Sequence, residues 1–338
     1  WSVSADLENT QSLVEGMRSV LGDKVDIVTH LGANLTDDPA LQERSTMFGR
    51  TIPRDNRSSE AIIAEALEVS KNAEVIVAAL GESSEMSGES SSRTDLNIPE
   101  SQKRLLEALV KTGKPVVLVL FAGRPLTLTW EQEHVPAILN VWFGGTETGK
   151  AVADVLFGDV NPSGKLPATF PQNVGQLPMY YSEKNTGRPL AKSAWFQKFR
   201  SNYLDVSNEP LYPFGFGLSY TEFEYSPLKL EKATINKSDK LKITVQVKNK
   251  GQYNGEEVVQ LYIQDLVASQ TRPVKELKGF QKVWIEKGKS KTVEFEISEE
   301  DLKFYNQKLD FISEPGKFKV YIGTNSRDVQ EAEFELID

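Results

Sequence analysis

The first half of the chain alternates between helical and extended hydrophobic patterns. Apolar residues recur at helical spacing in four segments, at 8–22, 58–73, 98–114 and 146–158. Short runs of β-branched and other apolar residues, typical of buried strands, lie at 25–30, 74–81, 115–123 and 136–144. Strands separated by helices of this length predict right-handed crossovers. They indicate a doubly wound, mostly parallel α/β-sandwich with helices on both faces of the sheet.

Beyond residue 225 the hydrophobic period changes to two. Alternating apolar positions recur in five runs, at 240–251, 256–265, 275–288, 291–298 and 316–324. Such runs, separated by turn residues, predict an all-β sandwich of the immunoglobulin or fibronectin type III kind. The preceding segment, 171–224, has no period and is rich in Pro, Gly and aromatic residues. We expect it to pack on the first domain, because exposed linkers rarely carry so many aromatic side chains.

These patterns divide the chain into an α/β domain at 1–170, an irregular connection at 171–224 and a β-sandwich at 225–338. Because the chain opens with a helix, we expect the first strand of the α/β domain to be missing.

The net charge is −9, and it arises within residues 1–225, which hold 20 basic and 29 acidic residues. An acidic balance argues against a nucleic-acid partner. No apolar run reaches the roughly 18 residues of a membrane-spanning helix.

The residue types present restrict the chemistry that the chain can perform. Cysteine is absent, which excludes disulfides, thiolate nucleophiles and zinc–cysteine sites. The two histidines, His30 and His134, are far apart in sequence and are expected to be structural. We therefore expect no metal and no cofactor. Carboxylates are the groups left for catalysis.

The most unusual segment is GESSEMSGESSSRTDLNIP at 81–99, which follows one predicted strand and precedes the next helix. It is much longer than the usual 2–6 residues of a strand-to-helix loop, and open α/β sheets place their sites in such loops. The charged residues of this segment include Glu82, Glu89 and Arg93. A carboxyl group near a cation suits a general acid/base. The alternative is a solvated, mobile acidic loop without function.

A second segment, GGTETGKA at 144–151, nearly matches a phosphate-binding loop. Ala151 stands where a hydroxyl would ligate Mg²⁺, and Glu147 would place a negative charge among the phosphates. A nucleotide-binding regulator is therefore disfavoured. The glycines are better explained by close backbone packing at the start of a helix.

Three longer motifs carry a family resemblance. The segments at 142–171 (WFGGTETGKAVADVLFGDVNPSGKLPATFP), 211–225 (LYPFGFGLSYTEFEY) and 272–298 (RPVKELKGFQKVWIEKGKSKTVEFEIS) resemble the C-terminal portion of glycoside hydrolase family 3, of the periplasmic β-glucosidase type. The resemblance covers essentially the whole chain. It implies an α/β-sandwich followed by a fibronectin type III-like domain, in agreement with the hydrophobic patterns.

The resemblance also implies roles for individual residues. In such enzymes a TIM barrel supplies an Asp nucleophile, and the second domain lays a loop with the acid/base Glu over the barrel mouth. By resemblance Glu89 falls at the acid/base position, and Glu82 is the alternative because the loop holds two Gly-Glu pairs. Arg93 is a candidate substrate-binding residue.

No part of the sequence supplies the roughly 250 residues of a TIM barrel. No residue here is therefore assigned as the nucleophile, and the sequence resembles a piece of a longer enzyme. The resemblance implies a periplasmic or secreted retaining β-glycosidase, β-glucosidase-like, acting on terminal non-reducing β-linked sugars. We expect this chain alone to be inactive, with a mobile 81–99 loop. The alternative is a non-catalytic carbohydrate-binding or scaffolding module.

Overall fold

The computed structural model describes most of the chain, in three stretches: residues 9–44, 53–190 and 194–338. The chain forms two compact units. The first comprises the residues up to Asp159 together with Pro171–Gly175, and the second comprises Val160–Phe170 and Gln176–Asp338. The first holds a parallel sheet with helices, and the second holds sheets whose strands are mostly antiparallel. The predicted fold class, an α/β domain followed by a β-sandwich, is confirmed.

A parallel sheet forms the centre of the first unit. Its strands, in spatial as well as chain order, are β1 (Ile76–Gly81), β2 (Val116–Phe121) and β3 (Ala137–Trp142). All three lie within predicted strand segments. In the middle strand the consecutive residues at 118–120 are fully buried. Since successive side chains point to opposite faces, both faces of the sheet are covered.

The described part of this unit contains six α-helices: α1 (Leu13–Leu21), α2 (Pro39–Arg44), α3 (Ser59–Ser70), α4 (Glu100–Val110), α5 (Thr129–His134) and α6 (Thr148–Leu156). Four of them, α1, α3, α4 and α6, lie within the predicted helical segments. The hydroxyl of Ser58 accepts a hydrogen bond from the Ala61 N–H and thereby caps α3. The pattern does not predict α2 and α5, because six residues are too few to establish a helical period.

Helices α1 and α6 pack at glycine. A Cβ added at Gly149 would lie 2.1 Å from the carbonyl oxygen of Ser12, and one added at Gly16 would lie 2.0 Å from the carbonyl carbon of Gly149. No side chain fits in such a space. Gly149, in the phosphate-loop-like segment, therefore allows close backbone contact, as the sequence reasoning expected.

The predicted strand at residues 25–30 is wrong. The segment is irregular, and Val25 and Val28 are 48% and 67% exposed. Within the described residues β1 pairs only with β2, so no strand edge is hydrogen-bonded to this run. A short apolar run forms a strand only where a neighbouring edge pairs with it, and local sequence does not carry that information.

The second unit is a β-sandwich. Its described strands are β4 (Phe223–Tyr225), β5 (Lys229–Leu230), β6 (Thr234–Asn236), β7 (Leu241–Asn249), β8 (Gly255–Asp265), β9 (Glu276–Ile285), β10 (Ser290–Ile297), β11 (Phe304–Tyr305), β12 (Phe311–Ile312), β13 (Gly316–Gly323) and β14 (Val329–Ile337). One sheet has the order β6-β14-β13-β8-β9, and the other has the order β10-β7-β4, with β5 also paired to β7. A short helix, α7 (Glu299–Leu302), follows β10.

Alternation along the strands builds the core of the sandwich. The inward positions of β7, Leu241, Ile243, Val245 and Val247, are at most 2% exposed, while their neighbours face outward. They pack with apolar side chains of β8, β10, β13 and β14. Burial of each such side chain contributes about 1.5–3 kcal/mol. The five predicted runs correspond to β7–β10 and β13.

The connection at 171–224 packs differently from the expectation. Most of it, from Gln176 onward, belongs to the second unit. Tyr181 stacks on Phe214 with ring centroids 4.2 Å apart, and it meets Tyr262 of β8 edge to face at 5.9 Å. The expectation that this segment packs on the first domain is therefore corrected for Tyr181 and Phe214, which pack on the sandwich, whereas Trp195 and Phe199 are 55% and 78% exposed. The composition indicated packing but not the surface on which it occurs.

Candidate active site

The 81–99 loop begins where β1 ends. Gly81 closes that strand, and Gln102 of α4 fixes it from both sides: its Oε1 accepts from the Gly81 N–H at 2.7 Å, and its Nε2 donates to the Gly81 carbonyl at 2.8 Å. A Cβ at Gly81 would lie 1.7 Å from the Phe121 carbonyl oxygen, so only glycine fits there. The start of the loop is thus held at the carboxyl edge of the sheet.

Glu82, the first residue of the loop after the strand, is buried between two arginines. Its Oε1 accepts from the Arg93 Nη1 at 2.6 Å, and its Oε2 accepts from the Arg124 Nε at 3.2 Å. The Glu82 side chain has no exposed surface, and Arg93 and Arg124 are only 12% and 20% exposed. Both carboxylate oxygens are therefore engaged by guanidinium groups inside the protein.

Arg124 contacts two further points of the loop. It follows β2, and its Nη2 donates to the carbonyl oxygens of Met86 and of Ser91, the latter at 2.7 Å. These two carbonyls lie on either side of the segment that contains Glu89. One guanidinium thus joins the loop's first residue to both sides of its tip.

The far end of the loop is also fixed. The Asp95 carboxylate accepts from the backbone N–H and the side-chain amide of Asn97, and the Thr127 hydroxyl donates to Asn97 Oδ1 at 2.6 Å. Leu96 and Ile98 are buried. The loop therefore returns to the domain through a packed, hydrogen-bonded segment before α4 begins.

The tip of the loop contrasts with its ends. Glu89 is exposed, and no described residue forms a hydrogen bond or ion pair with its carboxylate. The following residue, Ser90, has φ +61°, a conformation that few residues other than glycine adopt, and Gly88 has φ +132°. The backbone thus turns sharply on both sides of Glu89 and presents its carboxyl group to solvent.

The sequence-predicted residues separate into two groups. Glu82 and Arg93 form one buried ion pair, whereas Glu89 lies apart from them at the tip. The Arg93 guanidinium donates to the Glu82 carboxylate and to the Asn97 carbonyl, so it supports the loop, and its contact with substrate stays a prediction. Sequence reasoning missed Arg124. Its position directly after a parallel strand was the available signal, because such positions share one edge of the sheet.

A separate cleft of about 540 Å³ in the first unit is lined by Lys103, Trp130 and Glu131, among others. The Glu131 carboxylate is buried and has no hydrogen-bond partner among the described residues, and the Lys103 Nζ lies 3.8 Å away. Burial raises the pKa of this carboxyl group, and Lys103 opposes the shift only in part. His134 stacks on the Trp130 ring at 4.5 Å, consistent with a structural role.

The described residues contain no cluster of three or more His, Asp or Glu side chains that could hold a metal ion. None of the helices in the described stretches has the length and apolar character needed to cross a membrane.

Comparisons with known proteins identify both units. Residues 1–220 match the glycosyl hydrolase family 3 C-terminal domain, and residues 257–326 match a fibronectin type III-like domain. The chain is 47% identical over 337 residues to the periplasmic beta-glucosidase of Salmonella typhimurium, covering all of this chain and 44% of that protein. It is 41% identical over 263 residues to a beta-xylosidase of Formosa agariphila, covering 78% of this chain and 35% of that protein.

A solved structure agrees with these sequence matches. The beta-glucosidase from Listeria innocua in complex with isofagomine superposes with a TM-score of 0.85 at 39% identity, over 97% of this chain and 42% of that one. The chain thus spans less than half the length of the relatives it matches. Since the family model covers residues 1–220, well over half of the 338 residues, the chain belongs to glycosyl hydrolase family 3 and corresponds to its C-terminal portion.

Proposed function

We propose that this chain supplies the acid/base loop of a retaining β-glycosidase, with Glu89 as the acid/base. The observation that carries the proposal is the contrast between the loop's two Gly-Glu pairs. Glu82 has no exposed side-chain surface and both of its oxygens bind arginines, so it cannot reach a glycosidic oxygen. Glu89 is exposed at the tip of a loop whose two ends are anchored.

The chemistry follows from an exposed carboxyl group on an anchored loop. In the first step Glu89 donates its proton to the glycosidic oxygen as the bond to the leaving group breaks and a carboxylate nucleophile bonds to the sugar. In the second step the Glu89 carboxylate removes a proton from water, which attacks the sugar and releases the nucleophile. Retaining enzymes place the two carboxyl groups about 5–5.5 Å apart.

The remaining parts of the reaction lie outside this chain. By family resemblance the nucleophile is an Asp of a TIM-barrel domain, and the 338-residue chain alone is expected to be inactive. The substrate we propose is a terminal, non-reducing β-linked sugar, in agreement with the beta-glucosidase and beta-xylosidase names of its relatives. The name of the Salmonella relative supports a periplasmic or secreted location.

The proposal is tested by carboxamide variants in a longer protein that carries the barrel. Glu89→Gln removes the transferable proton and leaves the shape. We expect kcat on an alkyl β-glucoside, which has a poor leaving group, to fall by about 10²–10⁴-fold. A dinitrophenyl β-glucoside needs no protonation of its leaving group, so its cleavage step should be spared, and azide should restore turnover by attacking the sugar without a general base.

Glu85→Gln is the matched control, because Glu85 lies in the same loop and its carboxylate accepts only a hydrogen bond from Ser84 among the described contacts. Glu85→Gln should leave kcat on both substrates unchanged. If Glu82→Gln rather than Glu89→Gln showed the dependence on the leaving group, the assignment to Glu89 would be wrong. Turnover of an aryl β-glucoside by the 338-residue chain alone would contradict the proposal that the nucleophile lies in a separate barrel domain.

A further inference from the structure

Arg124 contacts the loop at three points, one at its start and two on either side of its tip. Its Nε pairs with the Glu82 carboxylate at 3.2 Å, and its Nη2 donates to the Met86 carbonyl before the tip and to the Ser91 carbonyl after it. The side chain is 20% exposed, so these contacts are largely shielded from water. The guanidinium comes from the segment after β2, which is the strand next to β1 in the sheet.

A guanidinium group is suited to this task. It is planar and carries five N–H donors in a fixed arrangement, so it can bind a carboxylate and two carbonyl oxygens at once. An ammonium group on a flexible stem has three donors and no fixed plane. We therefore expect lysine to replace arginine poorly at this position.

The two carbonyls bracket the proposed acid/base. Met86 lies three residues before Glu89 and Ser91 lies two residues after it, so their fixation sets the distance that the tip spans. A residue other than glycine in the left-handed region, such as Ser90 at φ +61°, persists only where its surroundings determine the backbone. Without the bridging guanidinium the tip would gain backbone freedom, and Glu89 would occupy many positions.

Glu82 in turn orients Arg124. Its carboxylate is itself fixed by the hydrogen bond from Arg93 at 2.6 Å and by the end of β1, so the Arg124 guanidinium is held from the interior of the domain. The buried Glu82 thus helps to fix the part of the loop that carries the exposed Glu89, because it orients Arg124.

We propose that Arg124 is a positioning residue for Glu89, fixing the span of the loop tip and thereby the place of the acid/base carboxyl group. The catalytic part of this proposal rests on the function proposed above. The physical part, ordering of the tip, is independent of catalysis; it replaces the sequence-based expectation of a mobile 81–99 loop and can be measured in this chain by itself.

The first experiment is amide hydrogen exchange on the 338-residue chain. Arg124→Met should raise exchange rates within residues 84–92 at least tenfold and leave those of β2 unchanged. Arg124→Lys should have nearly the same effect, and it serves as the second variant if Arg124→Met does not fold. Arg57→Met is the matched control, because Arg57 is an arginine of the same unit that pairs with Asp55 and Glu65 at the surface. Unchanged exchange within 84–92 in both Arg124 variants would overturn the proposal.

The second experiment uses the longer protein that carries the barrel. Arg124→Met should lower kcat on an alkyl β-glucoside by about 10–100-fold, with a smaller loss on a dinitrophenyl β-glucoside and little change in KM. The double variant with Glu89→Gln should lose no more than Glu89→Gln alone, because a positioning residue has nothing left to position. Additive losses would overturn the proposal.

The two failures can be told apart. If Glu89→Gln remained active, the acid/base assignment would fail, whereas the exchange experiment would still decide whether Arg124 orders the tip. If Glu89→Gln lost activity and Arg124→Met changed neither exchange nor kcat, the function would stand and the role of Arg124 would be wrong.

Discussion

The two units each bury a glutamate against cations, but to different effect. In the first unit Glu82 binds Arg93 and Arg124, which come from the same loop and from the segment after β2. In the second unit Glu257 of β8 is 3% exposed; it lies 3.3 Å from the Lys165 Nζ and accepts from the Tyr225 hydroxyl at 2.7 Å. Both arrangements satisfy a buried charge. The first fixes a loop whose tip is exposed, whereas the second ties distant segments to the core of a sandwich.

The two sites differ physically in the number of cations that pair with the buried glutamate. Glu82 has two guanidinium partners, while Lys165 is the one cation paired with Glu257 in the described part of the chain. Burial next to Glu257 raises the pKa of Tyr225, so this phenol remains a neutral donor. Removing one partner of a buried pair is costly because a charge is left without compensation. The two sites should therefore respond differently to the loss of one cation.

The largest effect is expected at Glu257. Lys165→Met keeps the length of the side chain but removes the ammonium, which also donates to Gly217 and Thr324. We expect the free energy of unfolding of the second unit to fall by about 3–5 kcal/mol. Urea unfolding, with amide exchange of β7 and β8 as the local readout, measures it.

Lys282→Met is the control for this change. Lys282 pairs with Glu256, the neighbour of Glu257, but the two side chains are 49% and 36% exposed. Surface pairs contribute at most about 1 kcal/mol. Equal losses for the Lys165 and Lys282 variants would show that Glu257 is not a desolvated charge.

A smaller effect is expected at Glu82. Arg93→Met leaves Glu82 paired with Arg124, so we expect a loss of only about 1–2 kcal/mol in the first unit. Exchange of the β1 and β2 amides in urea reports it, and the exposed Arg57→Met variant again gives the baseline. A loss as large as that of Lys165→Met would mean that Arg124 alone does not compensate the Glu82 charge. The number of cations would then not explain the difference between the two sites.

The same comparison shows what the sequence could establish about the site. Two Gly-Glu pairs stand seven residues apart in one loop, and pattern alone treats them alike. Position after a strand and family resemblance were enough to locate the loop and to favour Glu89. The burial of Glu82 depends on Arg124, 42 residues downstream, and a contact between sequence-distant residues cannot be read from either segment alone.

The fold was predictable to the extent that burial follows local periodicity. The parallel strands and the alternating β7 and β8 are long or apolar enough for the pattern to identify them. The run at 25–30 also contains β-branched apolar residues, but no strand edge pairs with it in the described structure, so its pattern was misleading. The prediction for the connection at 171–224 failed for a related reason, since aromatic composition indicates neither which surface is covered nor which of the side chains stay exposed, as Trp195 and Phe199 do.

The smallest change in the free energy of unfolding is expected at a third buried glutamate, Glu131. Its replacement should raise stability at neutral pH, whereas the Lys165 and Arg93 variants should lower it. Glu131 has a single cation, Lys103, at 3.8 Å and no hydrogen bond among the described residues. Burial raises the pKa of its carboxyl group, with Lys103 lowering it and Glu107 adding to the rise. Because the folded state then binds the proton more tightly than the unfolded state, this contribution to stability is complete below about pH 4.5 and is lost as the pH rises through the raised pKa.

Glu131→Gln removes the titrating charge and should therefore remove this pH dependence. At pH 4 the variant and the parent should unfold at similar urea concentrations, whereas at pH 7 the variant should be more stable by about 1 kcal/mol. Glu133→Gln, an exposed neighbour on the same helix, should change neither value. If Glu131→Gln were instead less stable at pH 7, Lys103 would compensate Glu131 as the arginines compensate Glu82. A cation at 3.8 Å without a hydrogen bond would then be sufficient to stabilise a buried carboxylate in this domain.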